Sequence, residues 1–164
     1  MLFRSLPDTT FESTLTLTLG DRRIELAHLG AGQNPGDTVV HFPHARAVFA
    51  GGVFSSRDWP DTRFTPSVDG WIELLRRIAA MDADVFLPGH GDVGRRQDLF
   101  DQARLLADLQ ASVRGAMSRG LTREEIVDTL QFPAYAELRN YGRLHDLIES
   151  LHHLYSTGRP RIGP

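Results

Sequence analysis

Cysteine is absent from the 164 residues, which removes disulfides, cysteine-ligated zinc sites and thiol catalysis together. Lysine is absent too: all 18 basic residues are arginine, so Schiff-base and lysine general-base mechanisms are excluded. No apolar run approaches the ~20 residues of a membrane span. The opening stretch, Met1-Leu2-Phe3-Arg4-Ser5-Leu6-Pro7, is too short in apolar residues for a signal peptide. A net charge of −3 gives no general attraction to nucleic acid. The expectation is a cytoplasmic protein with neither a nucleic-acid nor a membrane partner. What remains is 41% hydrophobic and 24% charged, a balance that favours a folded core over disorder. The length suits one domain over 1–164.

The first half reads as strands. Thr14-Leu15-Thr16-Leu17-Thr18-Leu19 alternates with period two, Gly20-Asp21 turns the chain, and 22–29 returns as the second arm of a hairpin. Two short apolar runs, 38–42 and 46–50, predict buried strands, and 84–87 a fifth. Residues 51–67, with two glycines at the start and two prolines, read as a long loop. The second half reads as helix. Apolar residues recur at helical spacing over 68–81, 99–117 and 141–155, and Thr122-Arg123-Glu124-Glu125 is a capping box that opens a short helix to Leu130. The plan is a strand-rich core with one helix over 14–91 and a helical tail over 97–157. Such a mixed α/β (α+β) arrangement leaves one face of the sheet without cover, and a bare apolar face calls for a partner.

Three glycine-rich loops sit at strand ends, where sites are usually built. They are Gly32-Gln33-Asn34-Pro35-Gly36-Asp37, Phe49-Ala50-Gly51-Gly52 and Leu87-Pro88-Gly89-His90-Gly91. Their order and spacing resemble the C-terminal half of the metallo-β-lactamase superfamily, which carries Gly-His-Thr-Pro-Gly-Asp, then Phe-Ala-Gly-Asp, then a helix, then a strand ending in Pro-Gly-His-Gly. The first loop differs at two positions, the second at its last residue, and 84–91 matches throughout. The resemblance covers about residues 9–157. It implies half of an αβ/βα sandwich, with a mixed sheet and a C-terminal helical tail.

The resemblance also implies a metal centre, usually zinc, that activates water. The departures fall on that centre. Gln33 stands where the family has its first histidine of this half, and Gly52 where it has the bridging aspartate. The His-x-His-x-Asp-His motif is missing. Only His90 survives, and zinc takes three or four ligands. The chain therefore reads as a truncated domain without a complete metal centre, non-catalytic, in a binding or interaction role or as a remnant, with no cofactor expected. It is expected to form a homodimer across the bare sheet face, or to pair with a separate chain supplying the N-terminal half. The alternative is a metal-dependent hydrolase of esters, lactones or thioesters. Its zinc or iron site would be completed across a dimer or by a partner, with Asp37 or Asp92 as base.

Individual side chains admit plainer roles. His90 is a metal ligand or a loop hydrogen-bonder, and His28 a weaker ligand candidate or a satisfied core histidine. Gln33 and Asn34 bind a polar ligand through their amides or merely cap their loop. His41 and His44, three apart across a strand, point to opposite sides and share no metal. His145, Glu149 and His152 share one helical face, either a surface metal site or a solvated face. Trp59, Phe64 and Trp71 line a pocket under the long loop or pack the core. The pairs Arg22-Arg23, Arg76-Arg77 and Arg95-Arg96 read as solvated surface.

Overall fold

The computed structural model describes residues 9–161. A five-stranded sheet runs in the order β1 (Thr14–Leu19), β2 (Arg22–Ala27), β3 (Val39–Phe42), β4 (Ala47–Ser56) and β5 (Val85–Gly91). The first four strands are mutually antiparallel, and β5 joins β4 in parallel after crossing through α1 (Val68–Ala79). Parallel neighbours need such a crossover. The tail follows as α2 (Arg96–Ser118), α3 (Arg123–Thr129) and α4 (Leu144–Thr157).

Local chemistry sets these ends. The Ser67 hydroxyl caps α1 by accepting from Gly70 N at 3.1 Å. Asp98 reaches back to Arg95 N at 2.6 Å, which starts α2 three residues before the apolar stripe begins. The capping box at Thr122 forms as the sequence predicts, with Glu125 accepting from Thr122 N at 2.8 Å. The last helix begins as a single 3₁₀ turn at Tyr141–Arg143 and continues as α4 to Thr157.

Three boundaries correct the sequence reading. The fourth strand does not stop at Ala50: it continues through Gly51 and Gly52 to Ser56, so the loop is 57–67 rather than 51–67. Gly51 takes a left-handed φ of 56° and the ladder slips on both sides of it, a bulge that bends the strand without ending it. Val53 and Phe54 beyond it are fully buried and keep the strand in the sheet. The fifth strand likewise runs through Pro-Gly-His-Gly, because Ser55 and Ser56 pair with His90 and Gly91. The second strand ends at Ala27 and leaves His28 beyond it.

Register sorts the side chains by face. Thr16, Glu25, His41, Val48 and Phe86 form one row across the sheet, and Leu15, Leu26, Val40, Phe49 and Leu87 form the adjacent row on the other face. Val48 and Phe86 are fully buried beneath the helices, whereas Phe49 is 41% exposed. Leu17, Leu19 and Val85, on the Phe49 side, are also open. The core lies wholly on the helical side. It is one continuous cluster from Val48 and Phe54 through Trp71, Leu75 and Leu106 to Ile148 and Leu151. The tail is tied into it: the Thr62 and Ser150 hydroxyls meet at 2.6 Å, and Tyr155 donates to Gln110 at 3.0 Å. No helix among the described residues is long and apolar enough to cross a membrane.

Candidate functional site

The three glycine-rich loops converge at one end of the sheet. The first is pinned from both sides. The Thr65 hydroxyl donates to Gly32 O at 2.6 Å, and the Asp37 carboxylate accepts from Asn34 N at 2.9 Å. His28 donates through Nδ1 to the Asp37 carbonyl at 2.7 Å, so the loop consumes this histidine. The Gln33 carbonyl oxygen accepts from Asn34 Nδ2 at 3.3 Å. The same oxygen occupies the side-chain space of residue 52: a Cβ built on Gly52 would meet it at 2.1 Å. Loops one and two are thus interlocked through one pair of residues.

The second and third loops touch through backbone. A Cβ on Gly89 would lie 2.6 Å from the Gly51 carbonyl carbon. One on Gly91, whose φ is 94°, would lie 2.0 Å from Ser56 O. No side chain fits at either place. The glycines flanking His90 are therefore dictated by the approach of β5 to β4. The His90 side chain itself is exposed.

The candidate residues separate accordingly. Gln33, Asn34, Asp37 and His28 form one hydrogen-bonded group. Asp92 lies at the far end of β5, exposed, and Arg139 grips its carboxylate at 2.6 Å. That guanidinium holds the Asp92 carboxyl below the usual carboxylate range, which makes it a weak proton acceptor. His41 bonds Glu25 at 3.0 Å while His44 is exposed. Glu149 pairs with Arg161 at 2.6 Å. Of the three aromatic residues two pack the core, Trp59 edge-on against Phe132, Tyr135 and Tyr141 and Trp71 with its indole donating to Val53 O at 2.8 Å, while Phe64 lies under the Arg63 guanidinium. The arginine pairs are not uniformly free surface, since Arg77 bonds Leu29 O at 3.0 Å and Arg96 bonds Ala83 O at 3.0 Å.

A family model described as the metallo-beta-lactamase superfamily matches residues 2–90, more than half of the chain. The chain belongs to that superfamily. A linear primary-alkylsulfatase of Pseudomonas sp. is 26% identical over an alignment of 140 residues that covers 79% of this chain and 26% of the relative. Among solved structures, a metallo-beta-lactamase from Pontibacter korlensis superposes with a TM-score of 0.57 at 24% identity, over 63% of this chain and 50% of that one. A stereoselective inverting sec-alkylsulfatase from Pseudomonas sp. superposes with a TM-score of 0.72 at 16% identity, over 97% of this chain and 28% of that one. At these identities the structural likenesses show the fold alone, and the second of them extends through the helical tail. The chain spans about a quarter of the curated relative and half of the solved metallo-beta-lactamase.

The metal centre that the superfamily implies does not fit these residues. Zinc takes three or four nitrogen, sulfur or oxygen donors. Gly52 has no side chain, Gln33 turns its oxygen into the space left there, and His28 is bound to backbone. Among the described residues no group of three or more His, Asp or Glu side chains comes together to hold a metal ion.

One functional feature escaped the sequence reading. Gln102 sits in the apolar stripe of α2, buried, accepting from Ser55 N at 2.8 Å and donating to Val53 O at 2.9 Å. A lone glutamine between Leu99 and Leu106 on a buried helical face was the available signal, since a buried amide needs partners.

Proposed function

We propose that this chain is a non-catalytic member of the metallo-beta-lactamase superfamily, a binding or interaction protein that assembles as a homodimer through its open sheet face. The observation that carries the first half is the Gln33–Gly52 interlock. The carboxamide fills the volume at position 52, so the two departures from the family pattern form one packed unit instead of a vacated ligand cradle.

The open face supports the second half. Five strands about 4.8 Å apart and about six residues long present roughly 500 Å² in projection. That falls in the range of about 300–600 Å² of the largest apolar patches, which are often functional, and with side-chain relief it nears the ~800 Å² per partner of a standard interface. The row Leu15, Leu26, Val40, Phe49, Leu87 carries no charge. A second copy meeting it across a two-fold axis therefore meets no like-charge repulsion.

Native mass spectrometry on protein purified without chelators tests both halves. A metal-free species of twice the 18.3 kDa chain mass is the expected result. One or two zinc or iron ions per chain would overturn the non-catalytic reading and direct work to hydrolase assays. A clean monomer would overturn the dimer.

A further inference from the structure

On the helical side of the sheet, beside the third loop, where Ser55 pairs with His90, a cavity of about 290 Å³ lies between the end of β4, the first turns of α2 and the segment after α3. Its inner wall is polar and buried: Ser55 is 5%, Asp58 8% and Gln102 4% exposed. Gln102 is spent at both ends on Ser55 N and Val53 O. Ser55 is not: among the described residues its hydroxyl has no hydrogen-bond partner. The Asp58 carboxylate accepts only Asn140 Nδ2, at 2.7 Å through Oδ1, which leaves Oδ2 without a bond. Arg139, bridged to Asp58 along the backbone, commits its guanidinium to Asp92 at 2.6 Å, so Oδ2 is left for a further donor.

The mouth adds more negative charge. Asp98 and Asp101 lie on α2, each with one oxygen engaged, by Arg95 N and Gln97 Nε2 respectively. Arg57 is the one cation lining the cavity, and it is exposed. Leu105 and Leu138 supply an apolar side.

We propose that this cavity binds a small aliphatic ammonium, its charged head on Asp58 and the Ser55 hydroxyl and its alkyl arm on Leu105 and Leu138. Three carboxylates against one guanidinium select a cation. The volume, at the small end for ligand pockets, selects a short chain. An ammonium with three donors suits a hydroxyl and a free carboxylate oxygen that line one cavity. The chain contains no lysine, so none of its own side chains supplies that group. The inference stands apart from the dimer and from the degenerate metal centre, and holds or fails without them.

Titration with n-butylammonium chloride, followed by amide chemical shifts and calorimetry, is the test. Saturable shifts are expected at Ser55, Asp58 and the Gln102 side-chain amide, with 1-butanol, of similar shape but uncharged, at least about tenfold weaker. Asp101→Asn should weaken binding severalfold and Arg57→Ala should strengthen it, opposite signs that a merely structural role does not produce. Asp58→Asn should weaken it about tenfold. Should that variant fail to fold, Asp101 and Arg57, both exposed, still decide the matter. Absence of saturable shifts at these amides, equal binding of butanol, or unchanged affinity in Asp101→Asn and Arg57→Ala would overturn the proposal.

Discussion

Replacing Gly52 by alanine has different consequences in two backgrounds. In the native chain the new Cβ falls 2.1 Å from the Gln33 carbonyl oxygen and 3.1 Å from its carboxamide carbon. The Gln33 side chain must leave. The atom displaced is the far end of a flexible, half-buried side chain, so the cost is chiefly the lost bond with Asn34 Nδ2, about 0.5–1.5 kcal/mol. Gly52 is not among the residues with positive φ, so alanine brings no backbone strain. It brings a gain instead, because glycine inside a strand is worth about 0.5–1 kcal/mol less than alanine. In the native background the two nearly cancel, for a net change within about 1 kcal/mol. In Gln33→Ala the obstructing carboxamide is gone, and Gly52→Ala should stabilise by about 0.5–1 kcal/mol. The cycle therefore has a coupling of about 0.5–1.5 kcal/mol. Urea denaturation of the four proteins, extrapolated linearly, measures it. Equal cost of Gly52→Ala in both backgrounds would refute the interlock, and with it the observation on which the non-catalytic reading rests.

Other perturbations follow from single contacts. Phe49→Glu places a carboxylate at the centre of the open sheet face; light scattering should show a monomer with the native far-UV spectrum, and persistence of the dimer would move the interface elsewhere. Gln102→Leu orphans the buried Ser55 N–H and should cost about 2–4 kcal/mol in denaturant midpoint analysis, about 1–3 of it from the unsatisfied donor. His90→Ala removes an exposed ring and should leave thermal stability and assembly unchanged in calorimetry and light scattering. Burial pushes the Tyr135 and Tyr155 phenols up from 10.0 to about 12, with the neighbouring Asp108 adding to the effect on Tyr135. The folded state then holds protons that the unfolded state has released. Their contribution is complete below pH 10 and is lost as pH rises through about 12, which denaturant titrations across that range should show as a falling midpoint.

Much of the sheet is legible in the sequence because period-two alternation states both the strand and its face. The Thr-Leu repeat at 14–19 reads as the first arm of a hairpin and is one, at the edge of the sheet. The capping box at Thr122 is legible for the same local reason. Gly51 and Gly52 are misleading because glycine marks a loop and a bulge alike. Only the burial of Val53 and Phe54 against α1 and α2, a tertiary fact, keeps the chain in the sheet. The positions of Gln33, Gly52 and His90 are legible as departures from, or agreement with, a loop pattern. Their contact is not, since nothing along the chain says that residue 33 occupies the space of residue 52. Asp92 shows the converse: its sequence neighbours leave it free to act as a base, and Arg139, 47 positions away, takes it.

Survival of Pro-Gly-His-Gly is weak testimony for a surviving metal site. Gly89 and Gly91 are required by the backbone of β4, which comes within 2.6 and 2.0 Å of where their side chains would begin. Substituting either would force the two strands apart whatever the loop binds, so packing alone suffices to retain them. The histidine between them is under no such constraint and points outward. The informative positions are those where packing leaves a choice. At 52 the backbone imposes no positive φ, and the space beside it is closed by the flexible end of Gln33 and not by main chain. Two ligand positions lost independently would more readily leave a void, at a cost that grows by about 24 cal/mol per Å³, or an overlap. Mutual fit at that spot favours a fold maintained for another use over a decaying remnant, and it makes the tail-side cavity, with its unspent hydroxyl and carboxylate, the better place to look for that use.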